Sequence, residues 1–417
     1  MADQSPILFG MPPERGRWIF VLLGLAINLA IGSIYAWSVF RKPLEKFFAV
    51  GATESLLPFI VFLAVFAFTM PLVGGLLDRY GPRLLSIAGG VIVGAGWLLG
   101  SQSTSMTMLA LSYGLIGGAG VGIVYNCPIA VAARWFPDRR GFAVGAAVLG
   151  FGLSPLLTAP IANALIASIG PLPTMAYVGV TALLVIVLLG LPLRFPPAGW
   201  APPGWAPTAA AAACVDLNRS EMIRTRQFWG LWLCFFIGTV AGLMAIGIAA
   251  PVGQEVFLLS AATAAALVGV FAIFNGVGRP IFGALVDRLG TRTTAIANLA
   301  LIAGAALLLW AGSGNGSAAI YVAGFAALWL CLGGWLAIAP ACTAAYCGTK
   351  HYGPNYGLVF TAYGVGAIVG NLLAGSLRDI VGSYSAVFLP VAVLALVGAA
   401  AAALFLGPPS SGDRQMS

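Results

Sequence analysis

Charged side chains are nearly missing from this chain: they make up 8% of its 417 residues, where a water-soluble domain carries about a quarter. Acids are the scarcer sign, 12 against 20 Lys and Arg, and there is a single histidine, His351. No HExxH helix, GxSxG elbow or paired intramembrane aspartates occur, which leaves a membrane enzyme without its catalytic groups. The six cysteines (Cys127, Cys214, Cys234, Cys331, Cys342 and Cys347) form no CxxC and read as reduced packing residues rather than metal or redox sites. The glycine-rich run at 114–122 lacks the Lys and Ser/Thr of a phosphate loop, so it reads as close helix packing.

What is abundant is apolar surface: 60% of residues are hydrophobic and the mean hydropathy is +0.99. Apolar stretches lie near 18–40, 54–77, 84–104, 106–133, 141–168, 174–193, 228–250, 259–285, 293–312, 318–346, 355–378 and 384–407. They are long and Leu/Ala/Gly-rich rather than alternating. Backbone groups in hydrocarbon must be satisfied internally, so the pattern predicts twelve transmembrane helices rather than a barrel. The Pro- and Ala-rich break at 195–226 reads as a linker between an amino-terminal bundle (17–194) and a carboxy-terminal bundle (227–407), with tails at 1–16 and 408–417. With the amino terminus in the cytoplasm, fifteen Lys and Arg fall inside and four (Arg41, Lys42, Lys46 and Arg378) outside. That bias predicts both termini and the linker in the cytoplasm of a plasma (inner) membrane protein. A net charge of +8 therefore reports topology rather than nucleic-acid binding.

The halves repeat. GGLLDRYGPR at 74–83 recurs as GALVDRLGTR at 283–292, 209 residues later, and the stretch from Arg134 through Gly141 has a counterpart from Lys350 through Gly357. Duplicated halves place a binding site between them near the midplane, the layout of a carrier rather than of a pore.

The doubled D-R-x-G loop resembles the pattern that major facilitator superfamily transporters carry between spans 2 and 3. A narrower resemblance is to their monocarboxylate and oxalate/formate carriers. RWFPDRRGFAVGAAVLGFG (134–152) is similar to that group's signature, and GSIYAWS (32–38), AGVGIVYN (119–126) and NGVGRP (275–280) follow in the same order. The resemblance implies the major facilitator fold, two six-helix bundles rocking about a central site, and an arginine of span 8, here Arg279, on the substrate carboxylate. It also implies that Tyr35, Tyr125, Asn126, Trp335, Phe360 and Tyr363, and more weakly Asn28, lie around the cavity. Asp78, Arg79, Arg83, Arg140, Asp287, Arg288 and Arg292 would then form a cytoplasmic latch, or serve as topology signals alone.

Arg279 is the one basic residue well inside an apolar span, and all 12 acids fall at span ends or in loops. An unpaired guanidinium at that depth costs about 2.5–3.5 kcal/mol even on lenient insertion scales. It either receives an anionic ligand, whose carboxylate its planar fork can hold, or is bonded to backbone carbonyls or snorkels to the surface. Asn275, one turn earlier on the same face, can orient it or donate to a hydroxyl or keto oxygen of the ligand. Many animal proton-coupled relatives have an aspartate there, and the oxalate branch has a lysine where this chain has Tyr363. One cation rather than two favours a monoanion such as lactate or pyruvate. The expectation is a monomeric, proton-coupled monocarboxylate symporter with no bound cofactor, or else a carboxylate exchanger of oxalate/formate type.

Overall fold

A computed structural model describes residues 7–197, 200–203, 216–314, 317–348 and 351–406, with Arg140 described by its backbone only. The tail 408–417, the first six residues, the centre of the linker (204–215) and the Arg140 side chain thus lie outside the described residues. The described residues form helices α1 Pro13–Ile31, α2 Trp37–Phe48, α3 Ala52–Gly100, α4 Met106–Leu109, α5 Gly118–Trp135, α6 Arg140–Ile169 and α7 Pro171–Gly190. After the linker come α8 Arg219–Met222, α9 Arg226–Glu255, α10 Ala261–Gly312, α11 Ala318–Cys347, α12 Tyr352–Val381 and α13 Phe388–Phe405. A 3-10 turn, Gly32–Ala36, joins α1 to α2, and a π-helical segment, Ala110–Gly117, joins α4 to α5. No strand occurs among the described residues, and ten helices are long and apolar enough to cross a membrane.

Two of the ten, α3 (49 residues) and α10 (52 residues), are far longer than a bilayer needs. Each carries one residue in the left-handed region: Gly81 (φ 78°) and Gly290 (φ 79°), the glycine of each D-R-x-G repeat. Only glycine takes that backbone turn without a Cβ clash. The packing shows that the chain folds back there. A Cβ on Gly96 would lie 2.5 Å from the Gly117 amide nitrogen, and one on Gly117 would lie 3.0 Å from the Phe62 ring. Phe62 and Gly96 therefore border the same residue, although a straight helix would part them by about 51 Å. In α10, likewise, Phe271 stacks on Phe325 at 5.7 Å while Leu309 packs against the adjoining Gly324.

Helices before residue 190 pack mostly on one another, as do those after 226. The two sets meet along three seams: α3 on α12, α6 on α10, and α2 on α9. We call the end carrying Pro13, Gly81, Gly290 and Phe405 the terminal end, and the end carrying Phe48, Ala52, Glu255 and Val381 the distal end. At the terminal end Arg219 clasps both sets, its Nε donating to the Pro354 carbonyl and Nη2 to the Pro71 carbonyl, each at 3.1 Å. A cavity of about 530 Å3 lies beside it, with His351 in its wall.

Candidate functional site

Arg279 stands on the α6–α10 seam and is buried, with 8% of its surface exposed. Its Nη1 donates to the Val148 carbonyl of α6 at 2.9 Å, and its Nη2 donates to Asn275 Oδ1 at 3.5 Å. Nε is buried without a partner, and no carboxylate pairs with this guanidinium among the described residues. The Nε–H is thus unused, while the rest of the fork meets the Val148 carbonyl, Asn275 and the Tyr125 hydroxyl. Asn275 Nδ2 donates to the Trp329 carbonyl at 3.2 Å, and this turns its amide oxygen toward Arg279. Gly152 makes the close approach of the seam possible: a Cβ there would lie 2.6 Å from Asn275 Oδ1 and 3.3 Å from Arg279 Nη2.

An aromatic cluster from both sets of helices lies beside the cation. Tyr35, in the 3-10 turn of the first apolar segment, shares a 2.6 Å hydroxyl–hydroxyl hydrogen bond with Tyr363 of α12. The Tyr125 hydroxyl of α5 faces the guanidinium. Phe360 and Tyr363 stack at 4.7 Å. Phe66 sits among Tyr125, Phe151, Phe360 and Tyr363 at 5.3–5.9 Å, and Phe151 meets Tyr35 edge-on at 4.9 Å. The structure therefore brings Arg279, Asn275, Tyr35, Tyr125, Phe360 and Tyr363 together. For Asn28, Asn126 and Trp335 no direct contact with this group is seen among the described residues, although Trp335 reaches Phe360 through Phe235. Asn28 and Asn126 donate to carbonyls of their own helices (Gly24 and Gly122), and Trp335 packs against Gly238 and Phe235. Phe66 and Trp329 carry no sequence signal of their own, whereas Val148, Phe151 and Gly152 lie inside the 134–152 motif, which could have marked them.

Chemically this is one fixed positive charge with a spare donor, three phenols and apolar walls. Such a site can hold an oxyanion. It holds no carboxylate that could act as acid or base, and no metal-binding cluster occurs among the described residues.

The repeated loops behave differently in the two sets. Asp78 accepts from Arg134, whose guanidinium lies 3.8 Å over the Phe195 ring, and Arg79 lies over Tyr80 at 5.2 Å. Arg83, Asp287, Arg288 and Arg292 make no ion pair among the described residues. A pair outside the expected set joins them at the terminal end: Arg17 donates to both Asp138 oxygens at 2.6 and 2.8 Å and lies over Phe136. Hydrogen bonding from Arg17 holds the Asp138 carboxyl below its ordinary range.

The distal end is sealed by a charge cluster that spans both sets of helices. Arg41 is fully buried and donates to Ser55 Oγ (2.8 Å), the Ala52 carbonyl (2.9 Å), Glu45 (3.2 Å), Tyr384 Oη (2.8 Å) and the Gly247 carbonyl (3.3 Å). Glu255 pairs with Lys42 across the seam and accepts from Arg378 at 2.6 Å. Asp379 of α12 accepts from the Ala52 and Thr53 amides at 2.9 and 3.0 Å, capping α3 from the other set.

A sequence profile of the Major Facilitator Superfamily matches residues 18–339 and again 241–415. The chain is 29% identical over 387 residues to the oxalate:formate antiporter of Oxalobacter formigenes, covering 93% of this chain and 90% of that one. It is 28% identical over 402 residues to monocarboxylate transporter 13 of Rattus norvegicus, covering 93% and 88%. Its fold superposes with a TM-score of 0.71 on a bacterial homologue of the human lysosomal transporter Spinster in an inward-facing, unoccupied conformation, at 15% identity, covering 95% and 98% of the two chains.

Proposed function

Because this chain belongs to the Major Facilitator Superfamily, we propose that it is a secondary transporter of small monocarboxylates of the lactate and pyruvate type, with Arg279 receiving the carboxylate. The carrying observation is the guanidinium itself, buried on a seam between the two sets of helices, with no acid paired to it among the described residues and with its Nε–H unpartnered. A carboxylate accepts two parallel N–H bonds from such a fork, and both partners gain most where water is scarce. The Val148 carbonyl holds Arg279 until substrate replaces it. The Tyr35–Tyr363 bond and Phe66 then close over the anion from opposite sides.

Counting α3 and α10 as two passes each gives twelve passes in two bundles of six, 17–194 and 227–407. The linker at 195–226 and both termini sit in the cytoplasm, and the chain works as a monomer in the bilayer with no nucleic-acid partner. The distal end then faces outward and is shut. Asp78 with Arg134, and Arg17 with Asp138, tie the cytoplasmic ends of the first bundle to one another, so that they move together as the bundles rock. A monoanion neutralises Arg279, whereas the second charge of a dianion would be left uncompensated in a low-dielectric site.

The coupling ion in this reading is a proton that travels with the substrate. A second reading is exchange of one carboxylate for another, favoured by the lack of a carboxylate facing Arg279 among the described residues. Uptake of labelled L-lactate into proteoliposomes under an inward proton gradient, with and without trapped anion, separates them. Accumulation without trapped anion supports symport; uptake that needs trapped anion makes the chain an exchanger; none in either case rejects the substrate assignment.

A further inference from the structure

The distal seal contains a cavity that the central site does not use. It measures about 340 Å3 and lies between Val39, Lys42 and Lys46 of α2, Asn163 of α6, and Ala250 and Gln254 of α9, which places it on the seam between the two sets of helices. That volume falls in the range of about 300–1,000 Å3 of small-molecule sites. Its polar wall consists of two ammonium groups and two carboxamides, and no carboxylate lines it. Lys42 and Lys46 are one helical turn apart and so share a face. Their bonding differs. Lys42 is shared between Glu45, at 2.9 Å, and Glu255 across the seam, whereas Lys46 makes no ion pair among the described residues. Asn163 and Gln254 supply amide N–H donors from the facing helices.

We propose that this cavity is an outer docking site for a small carboxylate, and that the docked anion draws Lys42 away from Glu255 and so loosens the distal seal. The proposal rests on the reading of the chain as a carboxylate carrier with its distal end outward. Lys46 supplies an unspent positive charge, the amides complete the oxygen shell, and Lys42 is the switch because it alone is both in the cavity wall and in a cross-seam ion pair. Losing the Lys42–Glu255 pair removes one of three sets of cross-seam ties; the others are made by Arg41 to Gly247 and Tyr384, and by Asp379 to Ala52 and Thr53. Docking therefore lowers the cost of opening the outer face without abolishing closure, and it couples opening to the arrival of substrate.

Two experiments test this on the full chain in right-side-out vesicles of phosphatidylcholine alone, so that no anionic headgroup competes for the lysines. Lys46→Gln, which breaks no ion pair, raises the external KM for L-lactate about fivefold at low salt, the worth of one exposed charge pair, and the difference from wild type shrinks in about 0.5 M salt. An unchanged KM at low salt overturns the proposal. The second experiment does not depend on transport. In Arg279→Ala protein carrying Asn163→Cys, external L-lactate slows labelling by a membrane-impermeant maleimide severalfold, and further replacement of Lys46 by Gln removes the protection. No protection overturns the docking site even if wild type transports lactate. Protection without wild-type transport keeps the site and rejects the carrier reading.

Discussion

Gly152→Ala is the perturbation whose consequence the seam geometry fixes most closely. A methyl group there falls 2.6 Å from Asn275 Oδ1 and 3.3 Å from Arg279 Nη2, distances at which something must shift. Backbone cannot easily yield, because α6 and α10 are packed along their length. The Asn275 amide is held from behind by the Trp329 carbonyl, so moving it breaks that bond and turns its oxygen from the guanidinium. Overpacking costs about 1–3 kcal/mol, and a misdirected charge-assisted bond adds a comparable amount at the anion. Taking about 1.4–2.8 kcal/mol as the part felt by bound substrate, KM rises about ten- to hundredfold. Gly145→Ala is the control on the same helix, since a Cβ there meets nothing within 4 Å. Labelled L-lactate uptake in proteoliposomes, normalised to inserted protein, reads the difference. A wild-type KM in Gly152→Ala would refute the placement of Asn275 and Arg279 at the anion.

Other consequences follow from the same contacts. Tyr363→Phe leaves the Tyr35 hydroxyl without its 2.6 Å partner, a loss of about 1–3 kcal/mol to the closed form, and raises the rate at which a cysteine in the aromatic cluster reacts with external maleimide. Asp379→Ala strips the cap from α3 and costs about 0.5–2 kcal/mol, lowering the thermal midpoint of the purified protein and exposing the distal end to labelling. Because Arg17 depresses the Asp138 carboxyl below its ordinary 3.8, this pair stabilises the fold above that value and stops doing so as the pH falls through the shifted one. Asp138→Asn should therefore flatten the acid limb of the thermal midpoint against pH, and an unchanged limb counts against the pair.

Much of the fold was legible because lipid enforces long apolar runs. The stretches read at 106–133, 141–168 and 384–407 correspond to helical segments at 106–135, 141–169 and 384–405. The first segment runs further than its apolar core, to Phe48, because α2 is amphipathic and points Arg41 and Lys42 into the distal seal. Those residues and Arg378 read as outside charges in the sequence, and Glu255 as a span end. Their pairing joins positions 213 residues apart in the case of Lys42 and Glu255, and no local pattern encodes that. At the central site the unpaired arginine was visible because charge is so rare in the spans. Asn28 and Asn126 look equally polar in sequence, yet each donates its amide N–H to its own helix. Phe66 is one of 24 phenylalanines, and only the tertiary fold sets it among the tyrosines.

The central claim is that one guanidinium reads one carboxylate, and the most direct measurement is competition of L-lactate and oxalate for binding to the purified wild-type protein and to Tyr363→Lys. The account predicts that wild type prefers the monoanion, that a second cation at 363 shifts the preference toward oxalate, and that Arg279→Ala combined with Lys46→Gln, which removes the outer site as well, binds neither. Tighter binding of oxalate than of lactate to wild type, or lactate binding that survives the loss of both Arg279 and Lys46, would contradict it.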